Sequence, residues 1–331
     1  MPNRSPRDRS DRPFLDIASY GRGTPSEPQL RLLPAQIEQI ARTVRHTPEV
    51  MVKISGGGQS AKAVAAHFKY IGRQEFEIET DGGEHINGKD AEKTLVADWE
   101  LDLDAAESRS PYRGASGRKP AKLVVLSMPA GAPAAGVLEA SRAFAREQFA
   151  LKHRYALVLH TDAPHPHVHL VVKAMSERGR RINIRKETLR EWRRPFASHL
   201  RVQGIAANAT ERALRGVTKP QKSDGINRAM RAGRSTHMRG RVESFVAALH
   251  AGDAQVEPCK KRIVDTRRDV VRGWFAIRDT LRAEGREGLA NEVEGFIVRM
   301  PPPRTEREWL AVTLSEHARD LGRQKALAAT R

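Results

Sequence analysis

Cysteine is all but missing from this chain of 331 residues, where Cys259 stands alone. That excludes an intrachain disulfide and every zinc site built on two or more thiolates. It fits a reducing, cytoplasmic compartment. Aromatic residues are scarce, at 5% of the chain, so stacking on many rings is not its way of holding bases. Much of the apolar content is alanine, which predicts a modest, aliphatic core. No apolar run approaches the ~18 residues a spanning helix needs, and no membrane insertion is expected. The opening MPNRSPRDRSDRP carries basic residues without an apolar stretch and does not read as a signal peptide. Acidic residues are outnumbered: 58 Lys and Arg face 40 Asp and Glu, a net charge of +18. A surplus of that size points to nucleic acid or an anionic membrane as the partner, and the lack of long apolar runs favours nucleic acid.

At about 150 residues per domain, the length predicts roughly two domains. Residues 1–46 are rich in Arg, Pro, Ser and Gly and read as a basic disordered arm, with a short helix over Pro34–Val44. A folded domain is expected over 47–215, a basic linker over 216–241, and a helical C-terminal region over 242–331. Within the folded domain, Val50–Ile54 reads as a strand. The Ser55-Gly56-Gly57-Gly58 that follows lacks the Gly-Lys-Ser/Thr of a phosphate loop, so it predicts a flexible turn or a close approach of backbone to a ligand. Ser60 is a candidate N-cap for a helix to Ile71, with Val64, Phe68 and Ile71 facing the core and His67 and Tyr70 on a neighbouring face. Strands are expected at Glu75–Glu79, Lys122–Met128, Tyr155–His160 and His167–Lys173, and a short one at Arg181–Ile184. Asp81-Gly82-Gly83 reads as the turn of a hairpin. Helices are expected over Val137–Phe149 and Lys186–Gln203, the second kinked or split at Pro195.

The informative stretch is His160-Thr161-Asp162-Ala163-Pro164-His165-Pro166-His167-Val168-His169. Alternation puts His167 and His169 on one face of a strand, and His160 ends the strand before it. Two imidazoles from one strand and one from its neighbour converge on a site for a divalent metal with open positions for substrate oxygens. Asp162 and His165 are close enough to orient the ligand rings. A basic protein with such a site is expected to act on phosphodiesters.

Of the four tyrosines, Tyr20 lies in the arm, Tyr112 in a loop, and Tyr155 has the wrong parity to face the metal. Tyr70 has Lys69 and Arg73 beside it, and cations favour phenolate. Downstream, Arg178, Arg180, Arg181, Arg185 and Lys186 form a strip suited to phosphates.

The segment from about Val50 to Gly216 resembles the relaxase/mobilization nucleases, HUH-type plasmid relaxases, and within them the T-DNA border endonuclease branch. The resemblance is carried by His67-Phe68-Lys69-Tyr70-Ile71-Gly72-Arg73, by Leu126-Ser127-Met128-Pro129-Ala130-Gly131, by Glu139-Ala140-Ser141-Arg142 with Phe149, and by the histidine cluster. It implies an α+β fold: a central antiparallel sheet with helices packed on one face, plus a C-terminal helical region. It implies that Tyr70 attacks one phosphodiester at a transfer origin, forming a 5′-phosphotyrosine and freeing a 3′-hydroxyl. His160, His167 and His169 would hold Mg²⁺ or Mn²⁺, and Asp162 and His165 occupy the adjoining motif positions. The proton of the tyrosine goes to Asp162 or to a histidine. Lys69, Arg73 and the downstream strip would contact single-stranded transfer-origin DNA. Further partners implied are an accessory DNA-binding protein and a type IV secretion coupling protein, with export to a recipient cell on the bound strand. Residues after about 216 match no motif.

Two rivals belong to other classes. A histidine-triad nucleotide hydrolase or transferase would use His165-Pro166-His167-Val168-His169, against which stand Pro166 and the surplus charge. A non-catalytic DNA-binding accessory protein would explain the charge and leave the histidines without a purpose. A rolling-circle initiator would place its tyrosine after the histidines.

Overall fold

The computed structural model describes residues 31–56, 58, 60–72, 77–87, 90–101, 119–218, 224–251, 257 and 259–329. The chain divides into two compact units, one of His46–Ala209 and one combining Met1–Arg45 with Thr210–Arg331.

The first unit is built on a six-stranded antiparallel sheet in the order β1-β4-β6-β5-β2-β3. Its strands are β1 (Met51–Gly56), β2 (Ile78–Thr80), β3 (His85–Ile86), β4 (Ala121–Ser127), β5 (Tyr155–His160) and β6 (His167–Lys173). β5 and β6 have the expected limits and pair as a hairpin. β2 and β3 form the hairpin around Asp81-Gly82-Gly83, although residues 75 and 76 of the expected strand lie outside the described residues. The fold is the α+β arrangement the sequence implies, with one correction: helices cover both faces. α2 (Ala61–Ile71) and α3 (Ala91–Asp98) close a core with Leu123, Ala156, Val158 and Val171. α4 (Ala134–Phe149) and α5 (Lys186–Val202) close another with Val124, Leu126, Leu157, Val168, Leu170 and Val172. The reason lies in the central strands. Consecutive residues Leu170, Val171 and Val172 are all apolar, so both faces of β6 need cover.

Local chemistry explains the element ends. Ser60 caps α2, its hydroxyl accepting from the Ala63 N–H at 3.2 Å. For the glycine run before it, the close neighbour is a helix of this chain, in place of the expected ligand. A Cβ on Gly58 would stand 2.1 Å from Val64 Cγ2, so the neighbour that needs the glycine is α2. α5 continues through Pro195 as one helix and is not split in two. Its Trp192, Phe196 and Leu200 are buried on α4, with Phe144 edge-on to both aromatic rings. That packing offsets the one hydrogen bond the proline removes. Arg181–Ile184 is not a strand; only a single bridge, Met175 to Arg181, forms there.

The second unit is helical: α1 (Pro34–Val44), α6 (Asp224–Arg231), α7 (Thr236–His250), α8 (Cys259–Ala283), α9 (Glu287–Arg299) and α10 (Glu306–Ala329). Its core joins Leu32, Ile40 and Val44 to Val270, Trp274, Ile277, Val293 and Phe296. The part of the presumed arm that is described, residues 31–45, is therefore helical and packed. It carries the apolar stripe Ile37, Ile40 and Val44 at helical spacing. Within 216–241, where the sequence reads as a linker, stand α6 and the first turns of α7.

Candidate metal and tyrosine site

The strand register brings the three histidines together. His160, at the end of β5, pairs directly with His167, at the start of β6, and His169 lies between Val158 of β5 and Val125 of β4. All three share the face covered by α2, since Val158 and Val171 of the same parity belong to that core. The ring centroids stand 4.5 Å (His160–His169), 5.2 Å (His160–His167) and 5.3 Å (His167–His169) apart. One ligating nitrogen from each lies within 4.8 Å of the others, close enough to share one ion. His160 and His169 are buried and His167 is half-buried, so one side stays open.

Hydrogen bonds fix which nitrogens point inward. His160 Nε2 donates to the Ile71 carbonyl at 2.7 Å, which leaves Nδ1 with the lone pair. His167 Nδ1 donates to the His165 carbonyl at 3.2 Å, which leaves Nε2. A neutral imidazole held through its far N–H is the form a metal takes up. The donor set suits a borderline divalent cation, with room for further oxygen ligands on the open side.

α2 delivers the tyrosine. Val64, Phe68 and Ile71 are fully buried, which sets the rotation of the helix and turns Lys69 and Tyr70 outward. Tyr70 is 52% exposed. Ile71 ends the helix, and a last carbonyl has no partner within its own helix. His160 supplies that partner, so the residue next to Tyr70 is fastened to one ring of the triad.

Sequence reasoning misses His67 as a site residue, yet it stands between tyrosine and triad. Its ring centroid is 6.2 Å from that of Tyr70 and 5.8 Å from that of His169. Burial, with the nearby His160 adding to it, holds its pKa down at about 4. Its Nε2 is buried with no hydrogen-bond partner among the described residues. The signal that could find it is its helical spacing of three from Tyr70.

The other expected residues divide. Asp162 Oδ1 stands 4.0 Å from His160 Nδ1, on the ligand side of that ring. His165 is exposed and holds His167 through its carbonyl, not its imidazole. Two main-chain carbonyls therefore hold these two rings, with Asp162 beside the first. Lys69 is exposed beside Tyr70. Arg73, Tyr20 and Tyr112 lie outside the described residues. Tyr155 is on the opposite face, against Phe149, and burial there, with Asp81 nearby, raises its pKa. Arg178, Arg180 and Arg181 are not brought to the histidines. They follow the far end of β6, past Lys173, about 20 Å along the strand from His167. Arg185 and Lys186 lead from there into α5.

A family model described as "Relaxase: MobA/VirD2-like, nuclease domain" matches residues 70–204, opening on Tyr70 and taking in all three histidines. No curated protein matches this chain. A solved chain described as "Molecular Basis of Vancomycin Resistance Transfer in Staphylococcus aureus" aligns over 50% of this chain and 99% of its own, at 15% identity and a TM-score of 0.31, a likeness too slight to bear on the fold. Over residues 70–204, which hold the tyrosine and all three histidines, this chain is thus similar to the MobA/VirD2-like nuclease domain of relaxases.

Proposed function

We propose that this protein nicks one DNA strand at the transfer origin of a plasmid or integrative element, by transesterification on Tyr70. The phenol oxygen attacks the scissile phosphorus, an Oη–P bond forms, and the bond from phosphorus to the 3′ oxygen breaks. The 5′ end stays on the tyrosine and the 3′ end leaves as a hydroxyl, taking up one proton. One phosphodiester replaces another, so little free energy is lost and the same site can rejoin the strand.

His160 Nδ1, His167 Nε2 and His169 would hold a divalent cation, Mg²⁺ or Mn²⁺. When bound, the ion supplies positive charge against the scissile phosphate as its negative charge builds. The chain's own residues do the rest. The Ile71 carbonyl holds the His160 ring, and through the same bond it ties the last turn of α2, with Tyr70 on it, to the triad. The tyrosine proton passes to Asp162 or to an imidazole. Lys69, beside Tyr70, and Arg73 offer positive charge to the phosphates flanking the nick.

The observation that carries this reading is the 2.7 Å bond from His160 to the residue after Tyr70. A histidine-triad hydrolase has no such support. Its first histidine, His165, lies exposed and off the strand. In the wider role we place single-stranded origin DNA as substrate, an accessory DNA-binding protein and a secretion coupling protein as partners, and the cytoplasm as the place of action, with export on the bound strand. No helix among the described residues is long and apolar enough to cross a membrane.

The test is a denaturing gel after incubation with single-stranded transfer-origin DNA and Mg²⁺. The expected result is a protein–DNA adduct, mapped to Tyr70 by peptide mass. Cleavage without an adduct, or an adduct on another residue, would overturn the assignment.

A further inference from the structure

The sheet carries charge at both ends, and the two ends differ in kind. At the end away from the histidines, β4 begins and β6 finishes: Ala121 pairs with Lys173, and the Ala174 N–H donates to the Pro120 carbonyl at 2.7 Å. The chain then makes a tight, fully bonded turn. Ser176 N–H donates to the Arg180 carbonyl at 2.8 Å, Gly179 N–H to the Ser176 carbonyl at 2.9 Å, and Arg180 N–H to the Ser176 hydroxyl at 2.9 Å. Gly179 takes φ +69°, which lets the turn close. Met175 and Arg181 bridge across its base, and the Ile182 N–H returns to the Ala174 carbonyl at 2.8 Å. The turn thus presents Arg178 and Arg180, both exposed, from a rigid base.

Lys119 and Lys122 meet that base from β4. Lys122 feels both Lys119 and Arg181, and burial together with these two like charges lowers its pKa. Like charges gathered at one place repel, and the fold alone gains nothing from them. The same end does pair cations where carboxylates are at hand. Arg154 binds Asp81 at 2.9 Å and Asp98 at 2.8 Å. No ion pair among the described residues involves Lys119, Lys122, Arg178 or Arg180.

We propose that Lys119, Lys122, Arg178 and Arg180 form a second phosphate-binding site, for the backbone of the bound nucleic acid, at the end of the sheet opposite the histidines. It rests on the proposed nucleic-acid substrate but not on the tyrosine chemistry. Backbone contacts of this kind position a strand and carry no sequence information. Lys122 pairs with Val172, on the face covered by α4 and α5, and β6 puts this end about 20 Å from the histidines, so the contact steadies the bound nucleic acid away from the reacting phosphate.

The test is binding, which needs no cleavage. Wild type and the triple variant Lys119→Gln/Arg178→Gln/Arg180→Gln are titrated with a 30-nucleotide single strand and with a duplex of equal length, from 50 to 200 mM salt. All three positions lie outside the cores, and a melting curve confirms folding. Each phosphate that the variant no longer neutralises should flatten the plot of log affinity against log salt by about 0.7 on the single strand and about 0.9 on the duplex. The variant is expected to lose about 2 from the slope on at least one of the two, and that one names the nucleic acid held there. An unchanged slope on both would overturn the proposal. So would an equal loss in a control that neutralises Arg234, Arg239 and Lys261 of the helical unit, because the effect would then be one of net charge. A positional readout is amine acylation of the wild type read by mass spectrometry. DNA should protect Lys119 and Lys122 several-fold while Lys93 labels as before, and equal labelling of all three with and without DNA would count against the site. A failure of the relaxase reading would show separately, as no adduct on the same single strand carrying an origin.

Discussion

Two regions of this protein treat positive charge differently. In the helical unit, several cations on and around α8 and α9 are answered by neighbouring carboxylates, although exposed Arg234, Arg239 and Lys261 enter no ion pair among the described residues. Arg45 meets Glu292 at 2.7 Å, Lys260 meets Glu308 at 2.7 Å, Arg282 meets Glu294 at 2.7 Å, and Arg278 meets Asp279 at 2.8 Å. The carboxyls respond: the bond from Arg45 holds Glu292 below the usual range, and that from Lys260 does the same to Glu308. In the sheet unit, the exposed arginines of the 176–180 turn and the half-buried lysines at the start of β4 enter no such pair among the described residues. The same surplus of +18 therefore has two meanings. Charge that is matched locally dresses a folded surface, and charge that is left unmatched beside a site waits for an anionic ligand.

The comparison breaks most sharply at the tyrosine. Tyr70→Phe removes the nucleophile and leaves the buried face of α2 intact, so adduct formation should disappear while DNA is still bound. An adduct that survives on another side chain would move the chemistry elsewhere. Next in size is the triad. His167→Ala/His169→Ala should weaken Mn²⁺ binding, measured by calorimetry, by more than the ~10–100-fold that loss of an outer orienting group costs. For the wild type, added Mn²⁺ should raise the melting temperature, since a ligand of the folded state stabilises it by mass action. The double variant should show no such rise. A metal that stabilises both proteins equally would bind somewhere other than these imidazoles.

Much of the sheet unit is legible because chemistry and periodicity coincide there. Tyr155–His160 and His167–Lys173 alternate or run apolar over strand-length segments, and their limits are those observed. The convergence of the three histidines needs only strand parity and a short connection. Three features are illegible for physical reasons. Two of the rings are held by the carbonyls of Ile71 and His165, and every residue has a carbonyl, so no residue type announces them. His67 is one of twelve histidines, and its place beside His169 depends on how α2 lies across the sheet. The basic strip around Gly179 follows the histidines closely in sequence, and only the length of β6 carries it to the other end. In the helical unit, α1 reads as a short helix in a polar leader. Its real partners, Trp274, Val293 and Phe296, lie more than two hundred residues later, beyond any local pattern.

A third prediction concerns that remote core. Trp274 is fully buried, edge-on to Phe296 with ring centroids 5.0 Å apart, and its indole N–H donates to the Leu214 carbonyl at 2.8 Å. Trp274→Ala should cost about 3–5 kcal/mol in unfolding and leave one acceptor without its donor. If the helical unit is a scaffold and not part of the chemistry, the variant should still form the tyrosine adduct at a temperature below its lowered melting point. Loss of the adduct under those conditions, with the melting curve showing a folded protein, would make the helical unit part of the reaction.

The smallest effect falls on the paired arginines. Arg278 and Arg282 are both tied to Glu294, and Arg272 is tied to Asp269. Exposed pairs of this kind are worth about 0.2–1 kcal/mol each, so Arg272→Gln/Arg278→Gln/Arg282→Gln should lower stability only slightly. Its bearing is on DNA. Those three guanidiniums already have carboxylates, and a phosphate would have to displace them. The triple variant removes as much charge as the one at the far end of the sheet, yet its slope of log affinity against log salt should stay within a few tenths of the wild type. A drop of about 2 would mean that a local carboxylate does not keep an arginine from nucleic acid. The distinction between matched and unmatched charge would then be lost, and the whole basic surface would have to be treated as one electrostatic field.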